Sequence, residues 1–344
     1  MKKEGVLFSN VITYAPYTVS SLHTTFTGMY GLDNGVNGYT KSDHYDSKNC
    51  ICLPEYLQKN GYYTQGYGYS RICFPNLGFD KLQFVEEKEE KDVTQSHLSV
   101  LKECFSKEKP FFSFLHYGEI HHSVMKDVVK KYTIDDDQFF GKFDQNKERY
   151  KNYAHEAGNY VETLYNYINS QDPENTLIIF FTDHGGSVGE KKGELCYGVY
   201  TYDYTIKTWF YFIQPKLLPK NKEFKQQIRN KDVLPTILEL LNIKPLKKYK
   251  KIKGDSLMPV INNLETDDRE AFSETGGLTG PSPSPNAHNV HSYRDGEWKL
   301  IFQSTNNKVE LYNIVDDPEE NVNLLKSHQG KVDELWDKIF PLLP

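Results

Sequence analysis

The most chemically loaded stretch of this chain is TLIIFFTDHGG, residues 176–186. An apolar, strand-forming run ends in Asp183 and His184, followed by two glycines. A carboxylate and an imidazole side by side suit a divalent cation. The C-terminal edge of a buried strand is also where open α/β sheets bind ligands. The glycines let the chain turn away and leave room for a bound group. A second stretch, residues 15–36, crowds hydroxyls around a helix start: Thr18, Ser20, Ser21, Thr24, Thr25 and Thr27. Free N–H groups and the helix dipole favour an anion there. A hydroxyl beside a metal can be ionised into a nucleophile. Asp135, Asp136 and Asp137 lack the spacing of a calcium loop and read as a solvated turn.

Positioning such groups takes a sheet with helices. Strand-like runs cover Val6–Ala15, Tyr62–Tyr69, Phe111–Tyr117, Thr176–Thr182 and Ile206–Ile213. Helical patterns cover Ser21–Tyr30, Leu53–Asn60, Thr94–Phe105, Lys147–Ser170 and Asp232–Ile243. Gly61 supplies a C-cap and Pro235 a first-turn proline. The alternation predicts an α/β/α sandwich around a mainly parallel sheet over residues 1–254. Beyond that, Glu270–Thr275, Val290–Tyr293, Lys299–Gln303 and Val309–Ile314 read as short antiparallel strands, closed by a helix over Lys331–Phe340. Residues 255–344 are therefore expected to form a smaller α+β subdomain. The Lys-rich stretch Lys244–Gly254 reads as a solvated connection, and Gly276–Asn286 as a flexible loop.

Composition narrows the field. With 38% hydrophobic and 14% aromatic residues the chain can bury enough surface to fold, which excludes global disorder. A net charge of −6 with mixed signs argues against general nucleic-acid binding. No apolar run approaches the ~20 residues of a membrane helix. The N-terminus MKKEGVLFSN shows no signal-peptide core, which points to the cytoplasm if Met1 is the true start. Five cysteines, an odd number without a CxxC, are expected to be reduced thiols.

Six segments, in order, resemble the sulfatase family of the alkaline phosphatase superfamily. They are Gly5–Val36, PFFSFLHYGEIHH (110–122), FFTDHGGSVGE (180–190), KDVLPTILELLNI (231–243), GDSLMPVI (254–261), and RDGEWKLI (294–301) with ELYNIVDDPEENVNLL (310–325). Together they span nearly the whole chain. The resemblance implies an alkaline-phosphatase-like fold and metal-dependent hydrolysis of a sulfate or phosphate ester on a small molecule or glycan. It places Thr18 at the nucleophile position and makes Asp183, His184 and Thr18 ligands of one divalent cation, calcium first, with manganese or zinc as alternatives. His121 would contact the ester, with His122 and His116 as alternates. Lys299, unusual inside an apolar WKLI run, would pair with the ester oxygens. Lys192, or its neighbour Lys191, matches a basic substrate-binding position.

Two departures qualify this. Family members convert a Cys or Ser to formylglycine, and the β-methyl of Thr18 forbids that aldehyde. The positions of the maturation signal also differ, with Ser20 and Leu22 where Pro and Arg are expected. Thr18 as a direct alkoxide tilts the chemistry toward phosphate esters. Second, the family's opening strand, which carries further acidic ligands, has no counterpart before Met1. Its loss is expected to leave the metal site incomplete and two rows of backbone groups unpaired inside the sheet. The competing expectations are a phosphoryl-group transferase acting on a glycan or lipid, and a non-catalytic remnant of the fold.

Overall fold

A computed structural model describes residues 3–86, 92–132, 136–276 and 288–343. In chain order, β1 (Val6–Ile12) leads into α1 (Thr18–Thr27). Next come α2 (Leu53–Lys59), β2 (Tyr63–Gly68), β3 (Lys81–Phe84), α3 (Val93–Phe105) and β4 (Phe111–Leu115). A short α4 (Glu119–Ser123) and the long α5 (Phe143–Asn169) precede β5 (Ile178–Phe181). Then follow β6 (Lys207–Ile213), β7 (Lys222–Phe224), β8 (Ile228–Arg229) and α6 (Val233–Leu240). The C-terminal part holds β9 (Ala271–Thr275), β10 (Val290–Asp295), β11 (Trp298–Gln303), β12 (Lys308–Asn313) and α7 (Gln329–Ile339).

The main layer is an α/β/α sandwich, and alternation along β6 shows why. Phe210 and Phe212 face one way and pack with Val6, Phe8, Leu57, Val233 and Ile237. Tyr211 and Ile213 face the other way and pack with Leu101, Tyr160, Leu164 and Ile168. Period-two alternation thus feeds two helical layers from one strand. The sheet comes in two parts. One is β3-β2-β4, all parallel; the other runs β5-β6-β1-β7, with β8 also on β1. Within the second part β6 is antiparallel to both β1 and β5. Among the described residues β4 and β5 each end a sheet.

The C-terminal strands form a separate antiparallel sheet in the order β12-β11-β10-β9. Leu300, Leu311 and Phe272 pack there with Leu335 and Ile339 of α7, and with Tyr14, Tyr17 and Val19 at the β1–α1 junction. The Lys-rich connection is tied down rather than free. The amides of Lys253 and Gly254 donate to the Gly28 carbonyl at 3.0 and 2.9 Å. Gly28 itself closes α1 at φ +65°, and a Cβ there would meet Ile252 at 2.7 Å. The five cysteines are free. Among the described residues no helix is long and apolar enough to cross a membrane. Asp135 and residues 277–286 of the Gly-rich loop lie outside the described residues.

Candidate active site

α1 is buried from Val19 to Thr27, and its hydroxyls explain how a polar helix tolerates that. Thr25 and Thr27 return their O–H groups to carbonyls four residues earlier, Ser21 and His23. Ser21 Oγ donates to the Asp183 carbonyl at 2.6 Å, and Ser20 Oγ to the Val36 carbonyl at 2.8 Å. The helix is thereby stitched to the end of β5. Its first residue, Thr18, presents Oγ1 3.2 Å from His184 Nε2.

The backbone after β5 turns under a close constraint. A Cβ on Gly185 would fall 2.2 Å from the Tyr204 carbonyl, so only glycine fits. The Gly185 amide donates to Thr205 at 2.7 Å. His184 Nδ1 lies 2.7 Å from the Gly185 carbonyl. A carbonyl only accepts, so Nδ1 carries the proton and Nε2 offers its lone pair to Thr18.

Asp183 is half-buried, and desolvation pushes its carboxyl up; the nearby imidazoles of His184 and His116 outweigh that and hold it below the usual range. Its Oδ2 is 3.7 Å from His184 Nε2 and takes no hydrogen bond. His116, just after β4, is half-buried as well, and its buried Nδ1 has no hydrogen-bond partner. Burial pushes His116 down against the opposing pull of Asp183.

The loop from 187 to 205 closes over this floor through two carboxylates. Glu190 Oε2 accepts from the amides of Val188 and Gly189 and from Ser187 Oγ. Glu194, fully buried, accepts from the Val199 and Tyr200 amides and from Tyr204 OH at 2.6 Å. This anchoring brings Tyr197 over His184, with ring centroids 4.8 Å apart, and beside His121 at 5.6 Å. His122 stacks edge-on to Tyr69 at 4.8 Å. Thr18, His116, His121, His122, Asp183, His184 and Tyr197 all line one cavity of ≈ 1470 Å³.

Of the predicted residues, Thr18, His121, His122, Asp183 and His184 thus converge. The two lysines do not. Lys299 is fully buried in the C-terminal sheet, its Nζ 2.9 Å from Asp203 Oδ1 and 2.7 Å from Glu320 Oε1. The expectation that it pairs with ester oxygens is corrected: the WKLI run signals burial, and two carboxylates of the protein neutralise the charge. Lys192 is exposed and absent from the cavity wall; its carbonyl accepts from Tyr200 OH. Lys191 is bound to the Glu320 carbonyl and Asn321 Oδ1. The residue that sequence underrated is His116, which carries the same signal as Asp183, a polar group closing an apolar strand. Tyr197 had no signal, since it sits in an irregular loop.

Asp183 and His184, with Thr18, offer oxygen and nitrogen donors of the right kind for a cation, and the orphaned Oδ2 is a free ligand atom. Yet no group of three or more His, Cys, Asp or Glu side chains among the described residues is placed to hold a metal. The donor set therefore fits only part of a coordination sphere.

The Sulfatase family model matches residues 1–243. The chain belongs to the sulfatase family. The C-terminal model described as N-sulphoglucosamine sulphohydrolase matches residues 197–340. An ulvan-active sulfatase of Formosa agariphila is 24% identical over 99% of this chain and 67% of its own length. A second sulfatase of that organism is matched over 45% of its length, so this sulfatase-family chain spans about half to two thirds of these relatives. In fold it is similar to a protein solved with its substrate D-glucosamine-2-N,6-O-disulfate, with TM-score 0.74 and 16% identity over 99% of this chain and 90% of that one. It is equally similar to a phosphonate monoester hydrolase of Agrobacterium radiobacter, with TM-score 0.76 and 16% identity over 99% and 89%. The family is one of sulfate-ester hydrolases in the alkaline phosphatase-like superfamily, whose fold this chain has.

Proposed function

We propose that this chain performs nucleophilic hydrolysis of a sulfate or phosphate ester carried by a glycan or small molecule, with Thr18 as the nucleophile. The observation that carries this is the pairing of Thr18 Oγ1 with the lone pair of His184 Nε2 at the start of a helix. His184 takes the Thr18 proton as the oxygen attacks sulfur or phosphorus. The first-turn amides of α1 have no partner within the helix and face the developing anion. His121, beside the Tyr197 ring that also packs on His184, can protonate the leaving oxygen, and His122 binds the ester group. Among the described residues the lysines that line the cavity, Lys107 and Lys109, precede β4 at the end away from His116, so imidazoles and amides carry the anion recognition. Were a divalent cation, calcium first, bound there, Asp183 and His184 Nε2 would hold it beside Thr18, and the cation in place of the imidazole would favour the ionised hydroxyl.

The relatives support both ester types: sulfatases by sequence, and a phosphonate monoester hydrolase by fold. The threonine favours phosphorus, since it attacks directly and cannot form an aldehyde hydrate. The test is turnover of p-nitrophenyl sulfate, p-nitrophenyl phosphate and p-nitrophenyl phenylphosphonate by the wild type, Thr18→Ser and Thr18→Ala. The phosphorus esters should be cleaved faster. Thr18→Ser should keep part of the activity, and Thr18→Ala should lose about 10³-fold or more. Full activity in Thr18→Ala would remove the nucleophile from this residue.

A further inference from the structure

The first turn of α1 is held by a buried polar network that begins in the C-terminal sheet. Glu274 of β9 and His291 of β10 face each other across the ladder, with His291 Nδ1 3.1 Å from Glu274 Oε2. His288, just before β10, places Nδ1 2.8 Å from Glu274 Oε1, an ion-pair contact that is not aligned as a hydrogen bond. Tyr14 OH donates to the same carboxylate. His288 Nε2 meets Tyr17 OH, and Tyr17 OH lies 3.0 Å from Ser20 Oγ. Ser20 Oγ in turn bonds the Val36 carbonyl at 2.8 Å. All of these side chains are buried.

The protons of this network can be placed one by one. The Val36 carbonyl only accepts, so it takes the single Ser20 hydroxyl proton. The Ser20 oxygen then has only lone pairs for Tyr17, and their contact needs the phenol proton. Burial pushes the Tyr17 phenol up, so that proton is present. With its proton given to Ser20, the phenol oxygen offers His288 a lone pair, and Nε2 must donate. On the other side of the ring Nδ1 faces Glu274. Burial pushes that carboxyl up, but the two imidazoles hold it at about 2, so it too accepts. Both nitrogens of His288 therefore carry hydrogen, and Glu274 meets the charge. A neutral ring whose Nε2 took the phenol proton would set the lone pairs of Tyr17 and Ser20 against each other and leave a buried bond unmade.

Tyr17 immediately precedes Thr18, and Ser20 lies two residues beyond it. The network thus grips the chain on both sides of the residue whose Oγ1 stands 3.2 Å from His184 Nε2. We propose that His288 is a positioning residue for the reaction: as an imidazolium held by Glu274 it directs the Tyr17 hydroxyl onto Ser20 and so sets Thr18 Oγ1 against His184. This rests on the reading of Thr18 as the nucleophile. Packing alone would be served as well by apolar side chains, since a buried ion pair gains little over them. What the ion pair adds is direction: it decides which way each hydroxyl along the network points. Because His288 acts through Tyr17 and Ser20, its loss should lower kcat and leave KM.

Nitrogen-15 NMR of the histidine rings and steady-state turnover test it together. At neutral pH His288, assigned by its absence in His288→Gln, should show both ring nitrogens protonated; a neutral ring would overturn the proposal. With the p-nitrophenyl esters, Tyr17→Phe and His288→Phe should each lose about tenfold or more in kcat with KM within about twofold, as expected of a misplaced reacting group. The double variant should lose no more than the worse single one, because both cut the same path. His288→Gln keeps a donor toward Tyr17 and should recover most of the loss. Lys299→Met, which weakens the same subdomain elsewhere, should lower the Tm and leave kcat per folded enzyme unchanged. Wild-type kcat in Tyr17→Phe, or equal losses in His288→Gln and His288→Phe, would overturn the proposal. The His184 Nε2 resonance separates this from the assignment of the nucleophile. Thr18→Ala gives its position without the Thr18 contact, and Tyr17→Phe should shift it the same way. If Thr18→Ala stays active, the nucleophile reading fails; if Tyr17→Phe leaves the His184 resonance where the wild type has it, the positioning role fails.

Discussion

The two sheets of this molecule treat buried polarity in opposite ways. In the C-terminal sheet each inner strand is paired on both sides, and its buried charges sit in close ion pairs, although Arg294 Nε has no hydrogen-bond partner. Lys299 and Arg294 share Asp203, with Arg294 Nη1 2.6 Å from Oδ2. Glu274 is held between His288 and His291 and hydrogen-bonded by Tyr14. In the main sheet two edges stand apart, and Asp183 Oδ2 and His116 Nδ1 lack partners. Native proteins satisfy nearly all buried polar atoms. A matched buried charge is therefore part of the scaffold, while an unmatched one marks where something else binds. Both kinds of residue looked functional in the sequence; only their surroundings separate them.

The largest effect should come from breaking the matched set. Lys299→Met leaves Asp203 with Arg294 alone and Glu320 buried without its cation. Removing one partner of a buried pair costs about 3–5 kcal/mol, so calorimetry should show Tm lower by of order 10 °C. A variant with unchanged Tm and lost turnover would return Lys299 to the ester.

The next effect is a pair of opposite pH slopes. Burial pushes Glu274 up, but His288 and His291 outweigh it and hold the carboxyl at about 2. A depressed carboxyl contributes stability above its unfolded pKa, lost as pH falls from about 4.5 through 2. Burial pushes Glu194 up to about 7 despite the Tyr204 hydroxyl and two amides that bond to it. A raised carboxyl works the other way: its contribution is full below about 4.5 and is lost as pH rises through 7. Each contributes of order 2–3 kcal/mol. Urea unfolding across the pH range should show Glu274→Gln flattening the acid limb and Glu194→Gln flattening the decline toward neutral pH. Unchanged slopes in both variants would show these carboxylates titrating normally.

The sequence carried the fold well where local pattern and burial agree. TLIIFFT, FFSFL and the helix of KDVLPTILELL were legible because strands and helices buried on both sides or on one face leave a plain apolar signature. The short β3, β7 and β8 were not, because strands of two to four residues are set by their partners' registers. Thr18, Asp183 and His184 were legible because they lie where a strand or helix ends. Lys299 was misread because a buried lysine has the same sequence pattern whether it faces a ligand or a carboxylate of its own chain. Tyr197 was not legible because its position depends on Glu190 and Glu194 folding the loop back.

The smallest effect should sharpen the contrast most. Asp183→Asn removes a charge that no hydrogen bond meets at Oδ2, while an amide oxygen can keep the bond that Asp183 Oδ1 accepts from the His184 amide at 3.0 Å. The carboxylate is favoured by His184 and His116 but opposed by burial, so losing it exchanges one modest electrostatic gain for relief of desolvation. The net change should lie within about 1 kcal/mol, and the Tm should hold or rise slightly, as it does when a site residue strained for function is neutralised. Turnover should fall steeply in the same protein, because the carboxylate beside His184 is gone. Scanning calorimetry and p-nitrophenyl ester assays on one preparation read both quantities. If Asp183→Asn lowered the Tm as much as Lys299→Met, Asp183 would belong to the scaffold. The division between matched scaffold charges and unmatched site charges would then fail at its central residue.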